Sequence, residues 1–194
     1  SSELGNTDKI YALTQECSRM GIKVLKPNIL FSRRGFVVNK NNEIEYGLGA
    51  IKGVADMFIK HICETRNKLK FRDLWDFSKK VDIKLGGKKS LEALSQSGAF
   101  DSLSPSRSIA IACVEDMLKD ASIQNGQSNL KSGDLFANFD ESFDPYDKYK
   151  NIQELTLSEK LEFEKKSLGY YLSGHPVIAV SYTHLTLPTN GCGG

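Results

Sequence analysis

Long apolar runs are missing from this chain of 194 residues: no stretch approaches the ~20 residues that a membrane-spanning helix needs. No signal-peptide pattern opens it either. Cysteine is sparse, and Cys17, Cys63, Cys113 and Cys192 are scattered without CxxC spacing. That usage points to reduced core thiols in a cytosolic protein, not to disulfides or zinc. Strand–helix–strand alternation is absent, and Lys52 stands where a dinucleotide fingerprint needs glycine. A dinucleotide-binding fingerprint is thereby excluded. Hydrophobic residues at 40% and charged residues at 26% are ordinary for a folded domain with a real core.

The net charge of +2 hides an asymmetry. Residues 1–100 hold 18 Lys and Arg against 11 Asp and Glu, whereas residues 101–194 hold 8 against 13. A basic half joined to an acidic half suits a polyanion-binding module followed by a segment that should avoid the polyanion. The plainer alternative is a mixed surface that only keeps the chain soluble. Because the chain starts at Ser1 and in mid-pattern, it reads as a fragment.

The chain is organised around Tyr46 to Arg66, where Gly47, Gly49 and Gly53 punctuate a short apolar run. From Val54 the residues Val54, Met57, Phe58, Ile62 and Cys63 recur at helical steps. The pattern predicts a short helix or turn, a tight hairpin at Lys52-Gly53-Val54, and a helix leaving it. Such a hairpin aims backbone N–H groups and a positive helix end at one point, which suits a phosphate. Glycine at 53 would let the phosphate come close without a Cβ in the way. An interrupted amphipathic helix in an all-helical core would produce a similar pattern.

Elsewhere the reading is coarser. Thr7 caps a predicted helix to about Met20, with Ile10, Leu13, Cys17 and Met20 on one face and Gly21 as the stop. Ile22 to Leu25 is a short extended segment, and Phe36–Val38 with Glu43–Tyr46 flank Asn39–Asn42 as a hairpin. Phe71, Leu74, Trp75 and Phe77 anchor a short helix and read as core. Base-stacking is the alternative for these aromatics. A helix from Lys88 to Ser97 breaks at Gly98-Ala99-Phe100, and Ser104-Pro105 starts another through about Lys119. Residues 121–151 turn polar and acidic and read as a disordered linker. Leu157 to Gly169 is a final charged helix, with Leu161, Phe163 and Leu168 as its contacts.

Several of these motifs share one order with a known family. GLGAIKGV, FRDLWDFSKKVD, LEALSQSGAFDSL and LGYYLSGHP, over about Asn6 to Val177, resemble the alpha subunit of bacterial DNA polymerase III. Cys17 to Ile29 is similar to the sequence that opens this module in that family. The resemblance implies a mainly α fold: a tandem helix-hairpin-helix module with one small β-hairpin, a partly disordered linker and a C-terminal helix. It implies duplex-DNA binding over residues 1–120, an acidic linker over 121–151, and a helix over 152–180 leading toward an oligonucleotide-binding fold. Residues 181–194 depart from the family and look like an adaptor or junction.

By this resemblance the DNA-binding residues are Gly49, Lys52, Gly53, Val54 and Ala55 in the first hairpin and Gly98 and Ala99 in the second. The family's Gly-Val-Gly is here Gly53-Val54-Ala55, and the second hairpin lacks Gly-x-Gly, so the first carries more of the expected role. Ser132, Gly133, Asp134, Leu135 and Phe136 resemble the family's sliding-clamp-binding pentapeptide, with Ser132 in place of its glutamine. Partners implied are duplex DNA, the sliding clamp and other replicative polymerase subunits in the bacterial cytoplasm, with no membrane. The parent reaction would use Mg²⁺ held by clustered aspartates. Asp140, Asp144 and Asp147 lie in the linker-like stretch, so no catalytic residue and no cofactor is expected in this piece. The rival readings are a stand-alone helical adaptor, and a nuclease or ligase carrying the same hairpin module.

Overall fold

The computed structural model describes residues 7–126 and 144–173. Within them the chain is mainly helical, with one small sheet. Helix α1 (Thr7–Arg19) stops at Gly21, whose φ of +71° lets the Ile22 N–H return to the Cys17 carbonyl at 2.8 Å. Of the expected apolar face only Ile10 is buried. Leu13 and Met20 are 64% and 67% exposed, because α1 lies at the edge of the fold. On the same helix Tyr11 packs against Tyr170, with ring centroids 6.4 Å apart.

The predicted hairpin forms from β2 (Val37–Val38) and β3 (Ile44–Glu45), which pair antiparallel. Asn39 Oδ1 accepts from the N–H groups of Asn41 and Glu43 and so closes the turn. The ribbon is not two-stranded, however. β1 (Val24–Leu25) pairs parallel to β3 on its other edge, giving the order β1-β3-β2. The isolated extended segment at Ile22–Leu25 therefore covers an edge that would otherwise be left open.

Helix α2 (Asp56–Lys68) buries Phe58, Ile59, Ile62 and Thr65, while Met57 faces out. Helix α3 (Leu74–Lys80) is capped by Asp73, whose carboxylate accepts from the Asp76 N–H. Phe77 meets Phe71 and Phe100 edge-on, each at 5.1 Å, so these rings are core and not base-stacking platforms. Helix α4 (Gly87–Gln96) is central and buries Ser90, Leu91, Ala93, Leu94 and Ser95. Against it lie α5 (Arg107–Ala112), α6 (Val114–Gly126) and α7 (Leu157–Leu168).

The helix expected from Ser104 is in fact two. Ser106 is the N-cap, accepting from the Ile109 N–H, while the Ser104 hydroxyl bonds the Ser106 carbonyl. The break falls at Cys113, whose thiol is buried and pushed up to about 11 by that burial. Helix α7 opens with a capping box between Thr156 and Glu159 and closes at Gly169 in the left-handed region.

Of the expected linker over 121–151, residues 127–143 lie outside the described residues. α6 continues to Gly126, and Asp144 to Ile152 is folded onto the module. Tyr146 accepts from the Leu74 N–H at 3.1 Å and donates to the Leu103 carbonyl at 3.3 Å. Asp116 on α6 receives Tyr149 Oη and Lys148 Nζ. Those two hydrogen bonds, Lys148 first, lower its carboxyl to about 2. The Lys148 ammonium also sits over the rings of Trp75 and Tyr149. An acidic composition concealed two tyrosines with partners waiting in the core.

One buried charge pair ties the two ends of the module together. Arg107 on α5 grips Asp101 through Nε and Nη2, at 3.1 and 2.6 Å, and Glu164 on α7 through Nη1, at 3.3 Å. The Arg107 and Glu164 side chains are 3% and 0% exposed. Glu164 also accepts from the N–H groups of Leu172 and Ser173 and from the Ser173 hydroxyl. The last described segment, Gly169 to Ser173, is held in place by that carboxylate.

Candidate nucleic-acid interface

The hairpin predicted around Gly53 is present. Leu48–Ala50 forms a single 3-10 turn, and five residues separate it from α2. Between them the Val54 N–H points back at the Ile51 carbonyl at 3.4 Å, with Gly53 at φ +91°. A left-handed residue at the third position of a four-residue turn is where glycine is favoured. Lys52, Gly53 and Ala55 are exposed, and Val54 is half-buried.

The structure changes the roles of several residues. The Gly49 N–H donates to the Arg34 carbonyl at 2.9 Å, and a Cβ there would lie 2.8 Å from that oxygen. Gly47 meets the backbone of Arg34 and Gly35 in the same way. These two glycines let the 33–35 strand of chain cross the 3-10 turn. The Lys52 N–H is spent on the Ser167 carbonyl of α7 at 2.8 Å. Ala55 does not offer a free N–H, because it donates to Ser90 Oγ on α4 at 3.1 Å. The same hydroxyl donates to the Gly53 carbonyl at 3.3 Å. Ser90 therefore holds both sides of the turn.

Three donors remain open at the surface. The Gly53 N–H makes no hydrogen bond among the described residues, and the Asp56 and Met57 N–H groups begin α2, where helix geometry supplies no partner. Asp56 would oppose a phosphate, but Arg34 Nε bonds it at 2.5 Å and offsets its charge. The Lys52–Ser167 bond sets the last turn of α7, with exposed Lys165 and Lys166, beside the hairpin. The surface that results is cationic, with backbone donors at its centre.

The second hairpin is different. Gly98 has φ +80° and Ala99 follows it, but both are buried. Their N–H groups go to the carbonyls of Ser95 and Leu94, and the Ala99 carbonyl accepts from Ile29. A Cβ on Gly98 would collide with the Arg107 guanidinium and sit 2.9 Å from Asp101 Oδ2. Gly98 is glycine to admit the buried ion pair, and neither Gly98 nor Ala99 has an exposed surface or a free N–H.

Ser132, Gly133, Asp134, Leu135 and Phe136 lie outside the described residues. Asp144 accepts from the Tyr146 N–H, and Asp147 pairs with Lys150. No group of three or more His, Cys, Asp or Glu side chains able to hold a metal ion occurs among the described residues. Also among them, no helix is long and apolar enough to cross a membrane. Sequence reasoning missed Arg34, Lys89 and Ser90, each of which reaches the hairpin from another part of the chain. The pair Lys88-Lys89 was visible as charge but carried no signal of where it would fold.

Residues 21–110 match the helix-hairpin-helix motif, the class that this turn and its flanking elements define. The chain is homologous, over 91% of its length, to a region of the bacterial DNA polymerase III subunit alpha. It is 38% identical over 179 residues to that subunit from Haemophilus influenzae, and 37% to those of Vibrio cholerae and Escherichia coli K12. The chain spans 15% of the length of each of these relatives.

Proposed function

We propose that this chain is the duplex-DNA-binding segment of a bacterial replicative DNA polymerase, gripping the phosphate backbone without reading sequence. The observation that carries this is the exposed Lys52–Ala55 turn at Gly53, within residues that match the helix-hairpin-helix motif. Backbone N–H groups and lysines recognise phosphates, and nothing in the turn presents a side chain shaped for base edges. Affinity should be that of non-specific binding, on the order of 10⁻⁴–10⁻⁶ M at physiological salt.

A labelled duplex titrated by fluorescence anisotropy across a salt series tests it. Affinity should fall steeply with salt and be equal for unrelated sequences. Lys52→Glu should lower it further, and Gly53→Asp more still, since that carboxylate would occupy the anion's side of the turn. Salt-independent binding, or two variants that bind like the parent while keeping their fold, would refute the phosphate grip.

The same reading includes tethering to the sliding clamp through Ser132 to Phe136. Support comes from the resemblance of that peptide and from the homology to the polymerase subunit. Full burial of Leu135 and Phe136 in a partner's groove would contribute roughly 1.5–3 kcal/mol each, less the cost of ordering the peptide. Affinity on the order of micromolar is expected. A peptide spanning Asn129 to Phe139 should bind purified clamp, the Leu135→Ala/Phe136→Ala pair should abolish binding, and Ser132→Gln should tighten it. If the double change in the whole chain instead spares clamp binding and lowers the melting temperature, the two residues belong to the core.

A further inference from the structure

From the geometry we infer that Lys89, on α4, is part of the phosphate grip: its ammonium completes the anion site at the Gly53 turn. The inference rests on the DNA-binding reading above and extends it to a residue 36 positions away, outside the hairpin. Three observations lead to it.

The first is the position of the stem. A Cβ built on Gly53 would lie 3.2 Å from Lys89 Cε and 3.5 Å from Lys89 Cγ, with Ala93 Cβ next at 3.8 Å. The side that glycine leaves open is thus filled by the methylenes of Lys89, and the ammonium is one bond beyond Cε. Glycine at 53 serves the lysine's approach as well as the left-handed turn. A lysine that lays its stem on a surface and frees its head is the usual amphipathic use of that side chain.

The second is that the Lys89 head is uncommitted. Its neighbour Lys88 is bound to Glu115 at 2.7 Å and lies 3.9 Å from Glu92. Lys89 is exposed and makes no ion pair among the described residues. Two adjacent lysines on one helix are therefore separated into a paired one and an unpaired one, and the unpaired one is at the turn.

The third is what the turn lacks. Ser90 takes the Ala55 N–H, and Ser167 takes the Lys52 N–H, so two of the turn's amides cannot serve a phosphate. With fewer amides available, a cation within hydrogen-bonding reach of the same anion supplies a larger share of the grip. Ser90, the residue next to Lys89, bonds both sides of the turn and so fixes this part of α4 against it. The ligand is a phosphodiester oxyanion of duplex DNA.

The test compares Lys89→Gln with Lys88→Gln, both in the whole chain, by anisotropy on a labelled duplex across a salt series. Each variant removes one lysine charge from the same short stretch of helix, so bulk attraction alone predicts equal effects. A direct phosphate contact at Lys89 predicts that Lys89→Gln flattens the slope of log K against log salt by about one and weakens binding about three- to tenfold. Lys88→Gln should leave the slope unchanged, and Lys89→Arg should restore most of the affinity. Unchanged melting temperatures would show that both variants fold. If the parent chain binds with normal salt dependence and the two glutamine variants behave alike, the assignment to Lys89 is wrong while the DNA-binding reading stands. If the parent does not bind duplex at all, that reading fails and this inference fails with it.

Discussion

Replacing Arg107 with alanine should lower the melting temperature by about 6–20 °C. The figure follows from the roughly 3–5 kcal/mol lost when one partner of a buried ion pair is removed, spread over a chain of this size. The cause is specific. Glu164 has no exposed surface, and without Arg107 its charge would be left with only the Leu172 and Ser173 donors. Asp101 is half-exposed and can turn to water, so it softens the loss little. Glu164→Ala should cost a similar amount by a different route, leaving the Leu172 and Ser173 N–H groups without their acceptor. Thermal melts of the two single variants and the double variant measure the coupling. The double should be less destabilised than the sum of the singles, and strict additivity would mean the two side chains do not act as a pair.

Gly98→Ala should destabilise by about 2–4 kcal/mol without lowering the DNA affinity of the folded fraction. A left-handed backbone costs an alanine about 1–2 kcal/mol. At Gly98 (φ +80°) the new methyl would also displace the Arg107 guanidinium from Asp101. Gly53→Ala makes the useful contrast. Its φ is +91°, so the backbone cost is similar, but the atoms it meets belong to the flexible, exposed stem of Lys89. Gly53→Ala should therefore lose less stability and more DNA affinity than Gly98→Ala. Melting curves and anisotropy on the same two variants separate the roles. If Gly98→Ala weakened binding as much as Gly53→Ala at equal stability, the buried hairpin would have to be regarded as a contact after all.

The contrast between these glycines also explains how the tandem looks in sequence. Helix, glycine turn and helix occur twice, and both turns hold glycine in the left-handed region. Only one of them reaches the surface. At Gly98 the turn is buried by Ile29, Phe100 and the Arg107–Asp101 pair, and its amides close α4. The repeat is one of chain geometry and not of exposure.

What the sequence determined by itself is local. Glycine spacing and apolar steps foretold the short turn at Leu48–Ala50, the hairpin at Gly53 and the helix that leaves it, because these depend on neighbours a few residues apart. The Asn39 turn, the stop at Gly21 and the aromatic core around Phe77 were legible for the same reason. What only the tertiary structure decided is which groups meet across the chain. Ser90 and Lys89 arrive at Gly53 from α4, Ser167 from α7 and Arg34 from the loop before β2. β1 closes the sheet from the other side of a turn, and Tyr146 and Tyr149 find their partners in a core that is far away in sequence. A free N–H and one already spent are written with the same letter, and their difference is set by the long-range partner that folding brings within hydrogen-bonding distance.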